Sequence, residues 1–339
     1  MKHGIALIGS TVVDEVLPVI EPGGLTYVDA QKFVAEGELR GEKATFSVGG
    51  MATNVAVDLA KMDGGYPLAL FGKVGDDFRA EIIFATLVEY GIDMTNVLLD
   101  PDNETSSTEV IHFRQPDGSV ERIFRHRLGA MGAFAASDIN ISRLAPFKIA
   151  MFGYGLLLPQ LDLADEAYGT RLGSVLAATQ QLGVKTALDF VSPDEENRFK
   201  FLRYRKTIRY VNIVCINEDQ ACSLTGLTAP KDACIALVQE LGAEIGVVHC
   251  GAKGPNYACS KPTGLIEQEN FIVAKEECKG NAGAGDAFAA GFLHGVHEEW
   301  PVEKSLRFAA AAAAISLRDA SATGAMKNQH DILNFMNRE

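Results

Sequence analysis

From residue 149 onward the chain alternates short apolar runs with segments of helical periodicity, and this alternation limits the available folds more than any other feature. Residues 149–154, 185–190, 211–216 and 245–250 read as short buried strands. Between them lie a helical stretch over 161–182 with Gly183 as its stop, a charged helical segment over 195–206, and two further helices. Buried strands joined by helices pair in parallel through right-handed crossovers. The N-terminal part has the same grammar, with strands over 4–9 and 67–72. Val55, Leu59 and Met62 recur at helical spacing, and a helix runs from Gly75-Asp76-Asp77-Phe78 to Tyr90, stopped by Gly91. Asp76 and Asp77 are read as helix caps. The expectation is a three-layer α/β fold, with a mostly parallel central sheet and helices on both faces.

Two stretches break the alternation. Pro18, Pro22, Gly23, Gly24, Gly37 and Gly41 cut residues 17–46 into short, partly strand-like pieces. Residues 109–113 and 120–127 flank Gln115-Pro116-Asp117-Gly118-Ser119, a strong hairpin turn. The predicted organisation is an α/β core over 1–14, 47–107 and 128–339, with a projecting β part over 15–46 and 108–127. Arg125 and Arg127 are two apart and share a strand face. That face is either a solvated edge or one from which Arg125 meets an anionic group of a ligand.

The chain of 339 residues carries a net charge of −13, which argues against a nucleic-acid binder but leaves room for a nucleotide in a locally positive pocket. The apolar run 308–317 is interrupted by Ser316 and falls short of the roughly 20 residues needed to cross a membrane. Asp14 and Glu15 follow the N-terminal apolar patch too closely for a secretory signal. The six cysteines fall between Cys215 and Cys278 without a C-x-x-C pair. Free thiols in a reducing, cytoplasmic compartment are expected.

The chemistry concentrates at glycine-to-helix junctions. Gly283-Ala284-Gly285-Asp286 runs into a helix whose Phe288, Phe292 and Val296 share one face. The first-turn N–H groups of such a helix lack intrahelical partners and can hold an anion. A carboxylate at Asp286 can take a proton from a hydroxyl while the N–H groups of Ala284, Gly285 and Asp286 stabilise a phosphoryl group in transfer. The plainer alternative is a helix start capped by Asp286. A second junction, Gly49-Gly50-Met51-Ala52-Thr53-Asn54, lets a small polar ligand approach the backbone and offers it the donor and acceptor of Asn54. Asp14, Asp189, Asn217, Gly251 and Asp286 all fall where a strand hands over to a loop or helix, the expected place for a ligand site in an open α/β sheet. A Rossmann dehydrogenase fits poorly, because no Gly-x-Gly-x-x-Gly follows the first strand.

These motifs, in this order and over nearly the whole chain, resemble the PfkB family of carbohydrate kinases, which has the ribokinase-like fold. Gly49-Gly50 with Asn54 is similar to the family's N-terminal signature, Gly283-Ala284-Gly285-Asp286 to its C-terminal signature, and Gly72-Lys73-Val74-Gly75-Asp76-Asp77 to its intermediate stretch. The resemblance implies transfer of the ATP γ-phosphoryl group to a sugar-like hydroxyl, with Asp286 as base and Gly283, Ala284 and Gly285 as anion hole. It implies that Asp14, Gly50 and Asn54 hold the substrate, and that Gly251 and Gly254 line the nucleotide. Asn217 would then act near the phosphates and Mg²⁺. The projecting β part becomes a lid and the interface of a homodimer. No protein side chain is expected as a direct metal ligand, because the family's Asn-x-x-Glu reads Asn217-Glu218-Asp219-Gln220 here. Gly280 and Asn281 replace an Asp-Thr pair associated with monovalent-cation activation, Arg79 replaces a usual glycine, and Val12 and Met51 replace polar residues of ribose-specific members. The alternatives are a nucleoside kinase of the same fold and a catalytically weak, kinase-like sensor of sugar or nucleotide.

Overall fold

The computed structural model describes residues 2–18, 20, 25–27, 33–35, 43–114, 120–192 and 198–338. The first half contains β1 (Ile5–Gly9), β2 (Val12–Val16), β3 (Leu25–Tyr27), β4 (Phe33–Ala35), β5 (Thr45–Gly49), α1 (Met51–Met62), β6 (Leu68–Gly75), α2 (Phe78–Glu89), β7 (Asp93–Asp100), β8 (Ser107–Arg114) and β9 (Val120–Arg127). The second half contains β10 (Ile149–Gly155), β11 (Ala164–Asp165), β12 (Gly169–Thr170), α3 (Arg171–Gln181), β13 (Lys185–Phe190), α4 (Phe201–Thr207) and β14 (Ile213–Asn217). It continues with α5 (Glu218–Thr225), α6 (Pro230–Gln239), β15 (Ile245–His249), β16 (Asn256–Ser260), β17 (Gly264–Gln268), α7 (Ala284–His297), α8 (Val302–Ser316) and α9 (Gln329–Arg338).

Nine strands form the central sheet in the order β17-β16-β15-β14-β13-β10-β1-β6-β7. Pairing is parallel from β15 to β7, and β16 and β17 close one edge as an antiparallel hairpin. The sheet is buried on both sides, and the strand period of two divides its side chains between two cores. Ile5, Leu7, Ile149 and Met151 pack with α1, α7 and α8 residues such as Leu59, Phe292 and Phe308. Ala6, Ile8, Ala150 and Phe152 pack on the other face with Leu176, Tyr204 and Leu237. The expected three-layer α/β fold is therefore present.

The chain builds outward from β1 in both directions, to β6 and β7 on one side and to β10, β13, β14 and β15 on the other. The switch point therefore lies between β1 and β10, and in open α/β sheets the ligand crevice lies at the carboxyl ends of the strands at such a point. A separate four-stranded sheet, β5-β2-β8-β9, is joined to the core through the short step from Gly9, at the carboxyl end of β1, to Val12. Asp14 lies in the middle of β2, inside this small sheet, which starts at Val12 rather than after residue 14.

Two expectations change. The helix expected over 161–182 is confined to α3; before it, Asp162 accepts the N–H groups of Leu156 and Leu158, both at 3.0 Å, and pins a turn. Gly169 has φ +86 and Thr170 caps α3 through Gly173 N–H, so helical geometry starts only at Arg171. Of the segment expected over 195–206, α4 covers the end, and residues 193–197 lie outside the described residues. The turn over 115–119 also lies outside them; the strands it would join, β8 and β9, pair antiparallel. Asp77 caps α2 as expected, accepting from Arg79 and Ala80 N–H at 3.0 Å each.

Candidate active site

Helix α7 begins with Gly283 at φ +72, and a Cβ there would stand 2.5 Å from the Ala322 carbonyl oxygen. Both conditions require glycine. Of the three amides expected to hold an anion, Ala284 N–H already donates to Asn281 O at 3.3 Å within the turn. The N–H groups of Gly285 and Asp286 have no partner among the described residues. They are the ones left to receive negative charge.

The Asp286 carboxyl is 4% exposed and held from two sides. The Tyr154 hydroxyl, at the end of β10, donates to Oδ1 at 2.6 Å, and Asn54 Nδ2, in the first turn of α1, donates to Oδ2 at 2.8 Å. Burial raises the Asp286 pKa, while these two hydrogen bonds favour the charged form and pull it back. Gly50, at φ +80, turns the chain into α1 so closely that a Cβ would lie 2.5 Å from Ser10 O. Ala52 N–H donates to that same carbonyl at 3.0 Å, tying the start of α1 to the end of β1.

Asp14 faces the crevice from the small sheet, and its carboxylate occupies the space a Gly49 Cβ would take. Burial lifts its pKa to about 6, with a hydrogen bond from the Thr108 side chain opposing and the Asp286 charge adding. Thr108 Oγ1 and His126 Nδ1 are 3.0 Å apart. The single Thr108 proton goes to Asp14, so its oxygen accepts from His126 Nδ1–H, and His126 Nε2 remains as an acceptor. Burial lowers the His126 pKa, which keeps that ring neutral. Asp189, at the end of β13, is buried and held well above the ordinary carboxylate range by burial and by the Asp286 charge.

Arg125 is not brought into this group. It pairs with Glu109 at 2.6 Å, as does Arg127 at 2.7 Å. Cross-strand register places Glu109 opposite Arg125, and Thr108 opposite both Asp14 and His126. Neighbouring strand positions face opposite ways, so Arg125 lies on the far side of the small sheet from Asp14. A shift of one residue separates the expected arginine from the histidine that faces the site.

On the other side of the crevice, Asn217 and Gln220 cap α5 reciprocally. Gln220 N–H donates to Asn217 Oδ1 at 2.9 Å, and Asn217 N–H donates to Gln220 Oε1 at 2.8 Å. Gln220 Nε2 also donates to Phe190 O at 2.6 Å, which commits this side chain to the backbone. Gly251 sits at φ +52 with open space where a Cβ would be. Asn270 Nδ2 holds the following turn by donating to Gly251 O at 2.5 Å and Gly254 O at 2.6 Å. Lys253 pairs with Glu218 at 3.0 Å, joining this turn to the start of α5. His249, at the end of β15, lies tilted against Phe288 with ring centroids 5.2 Å apart, and a Cβ at Gly285 would be 3.4 Å from its ring. Burial lowers the His249 pKa to about 4. Among the described residues, no three His, Cys, Asp or Glu side chains converge as a metal site.

Residues 19–329 match the pfkB family carbohydrate kinases. The chain belongs to this family. It is 25% identical over 295 residues to the 5-dehydro-2-deoxygluconokinase of Lacticaseibacillus casei, covering 86% of each chain. It is 24% identical to the ribokinase of Haemophilus influenzae, covering 99% of each. Arabidopsis thaliana ribokinase, solved with ribose and ATP, superposes with a TM-score of 0.78 at 23% identity over 99% of both chains. Xylella fastidiosa fructokinase with bound ATP gives 0.75 at 19% identity, over 99% of this chain and 98% of that one. This member of the pfkB family thus has the ribokinase-like fold and is a carbohydrate kinase, a phosphotransferase with an alcohol acceptor.

In this pfkB kinase Asn54 bonds Asp286 directly, the Asp286 charge acts on Asp14, Gly50 and Gly283-Ala284-Gly285 open α1 and α7, and Asn217, Gly251 and Gly254 fall at or after the carboxyl ends of β14 and β15. Sequence reasoning missed Tyr154, Thr108, His126, His249 and Asn270. Tyr154 and His249 could have been found as polar residues closing apolar strands; Thr108 and His126 depend on register, which the sequence leaves open.

Proposed function

We propose that the protein transfers the γ-phosphoryl group of ATP to a hydroxyl of a sugar or sugar derivative, with Asp286 as general base. The observation that carries this reading is the Asp286 carboxylate, fixed by Tyr154 and Asn54 at the mouth of α7 beside the unengaged N–H groups of Gly285 and Asp286. The substrate hydroxyl approaches Asp286 and gives up its proton to it. The two amides then hold the charge of the moving phosphoryl group.

Asp14, Gly50 and Asn54 would hold the substrate, with His126 Nε2 accepting from a further hydroxyl. Gly251 and Gly254 leave the backbone open to a nucleotide, and Asn217 stands beside the phosphates. The unengaged N–H groups of Gly285 and Asp286 suit a bound phosphate group. Mg²⁺ would neutralise phosphate charge; with Gln220 committed to the Phe190 carbonyl and Glu218 paired with Lys253, the ion would be held by phosphate oxygens and water. The small sheet would act as a lid that excludes water. Its exposed Phe46 and Ile123 support a homodimer formed through that sheet. A cytoplasmic location fits the free thiols of Cys215, Cys234, Cys250, Cys259 and Cys278.

The test is ATP turnover with Mg²⁺ across neutral sugars, sugar acids, sugar phosphates and nucleosides. Saturable product formation with one class supports the reading. Saturable binding without turnover in any class would favour the sensor instead.

A further inference from the structure

Asp58 lies on α1, one helical turn after Asn54, and is 0% exposed. Among the described residues, neither of its carboxyl oxygens has a hydrogen-bond partner, and the same holds for Asn54 Oδ1. Two charged groups act on it: Asp286 on α7 and Lys61 on its own helix. The Lys61 ammonium is spent on the Thr323 carbonyl at 2.7 Å. An unpaired buried carboxylate costs several kcal/mol, so a carboxyl kept there is kept neutral. Burial and the Asp286 charge hold it well above the ordinary range, in agreement. A neutral carboxyl carries an O–H donor, and Asn54 Oδ1 is an acceptor without a donor. Residues four apart on a helix share one face, with Cβ atoms roughly 5–6 Å apart. Either the two groups meet directly or one ordered water bridges them.

We propose that Asp58 is a positioning residue: its carboxylic acid proton is directed to Asn54 Oδ1, which fixes the Asn54 amide so that Nδ2 faces Asp286. The two ends of an asparagine amide have nearly the same shape, and the reversed amide would set an oxygen against the Asp286 carboxylate. A donor on the far side selects the productive orientation. Asp58 touches no substrate in this arrangement and acts only through Asn54. The inference rests on Asp286 as the base.

The test compares Asp58→Leu, which keeps the volume without a donor, with Asp58→Asn, which keeps a donor that cannot ionise. Asp58→Leu should lower kcat about tenfold and move the acid limb of the kcat–pH profile up by about one unit, because Asp286 loses a hydrogen bond to its charged form. KM for ATP should stay within about twofold, while KM for the sugar should rise, since Asn54 would also hold the sugar and loses its fixed orientation. Asp58→Asn should restore both kcat and the acid limb. Parent kcat and an unmoved acid limb in Asp58→Leu would overturn the proposal, as would equal impairment of both variants with the limb unmoved. Asp58→Ala replaces Asp58→Leu if the latter does not fold, with the same expectations. Failure of the base assignment is distinguishable, because Asp286→Asn would then stay active; an inactive Asp286→Asn with a parent-like Asp58→Leu overturns only the role of Asp58.

Discussion

The Tyr154 hydroxyl and Asp286 Oδ1 stand 2.6 Å apart, joining the end of a central strand to the first turn of α7. This bond stabilises the carboxylate form of a group whose burial works the other way. A base must be unprotonated to act, so activity should fall as pH drops through the raised Asp286 pKa. Tyr154→Phe removes one stabilising bond. Its acid limb should move to higher pH, and kcat near neutral pH should fall about three- to tenfold, in line with one hydrogen bond. A pH–rate profile of parent and variant checks both.

Gly283→Ala should damage stability and turnover together. The new Cβ would meet the Ala322 carbonyl oxygen at 2.5 Å and force a side chain onto φ +72. A cost of about 1–3 kcal/mol is expected from the strained backbone alone. Denaturant unfolding measures this, and turnover should drop by more than the unfolded fraction accounts for, because the Gly285 and Asp286 amides shift with the loop.

Arg125→Ala and His126→Ala separate the two faces of the hairpin. The arginine pairs with Glu109 away from Asp14, so its loss should leave the sugar KM within about twofold. His126 is hydrogen-bonded to Thr108 beside Asp14, so its loss should raise the sugar KM about three- to tenfold. Steady-state kinetics on the preferred sugar reads both.

One contribution to stability should fall on mild acidification, through a buried histidine remote from the phosphoryl site. His294 bonds the Tyr66 hydroxyl at Nδ1 (2.9 Å) and Gln329 Oε1 at Nε2 (3.0 Å), so the ring is neutral with its proton on Nε2. Burial lowers its pKa to about 4 from 6.5. The unfolded chain therefore takes up the proton first. The stability tied to the neutral ring is full above pH 6.5 and is lost as pH falls from 6.5 towards 4, by up to roughly 3 kcal/mol. His294→Gln should remove this contribution, so that its unfolding free energy falls less, or rises more, than the parent's as pH drops across that window; an identical pH dependence would contradict the account.

The α/β architecture was legible because buried parallel strands and their helices leave a periodic apolar pattern, as in Ile149–Gly155 and Lys185–Phe190. The two glycine junctions were legible because few other residues permit those turns. What the sequence left open was parity and partnership. Strand alternation showed that Arg125 and Arg127 share a face, but the register with β8 and β2 decides which face meets the site. Tyr154 and Asn54 come from elements far apart in the chain, and their meeting at Asp286 follows from the order β10-β1 beside α1. The helix expected over 161–182 lost its first half because Asp162 and Thr170 hydrogen-bond the local backbone in place of a helical ladder.

Asp286→Asn tests the central claim most directly. The variant keeps the shape of the side chain and removes the base. With the preferred sugar, ATP and Mg²⁺, kcat should fall about a hundredfold or more while sugar and nucleotide still bind. Turnover at the parent rate in a folded Asp286→Asn protein would contradict the assignment.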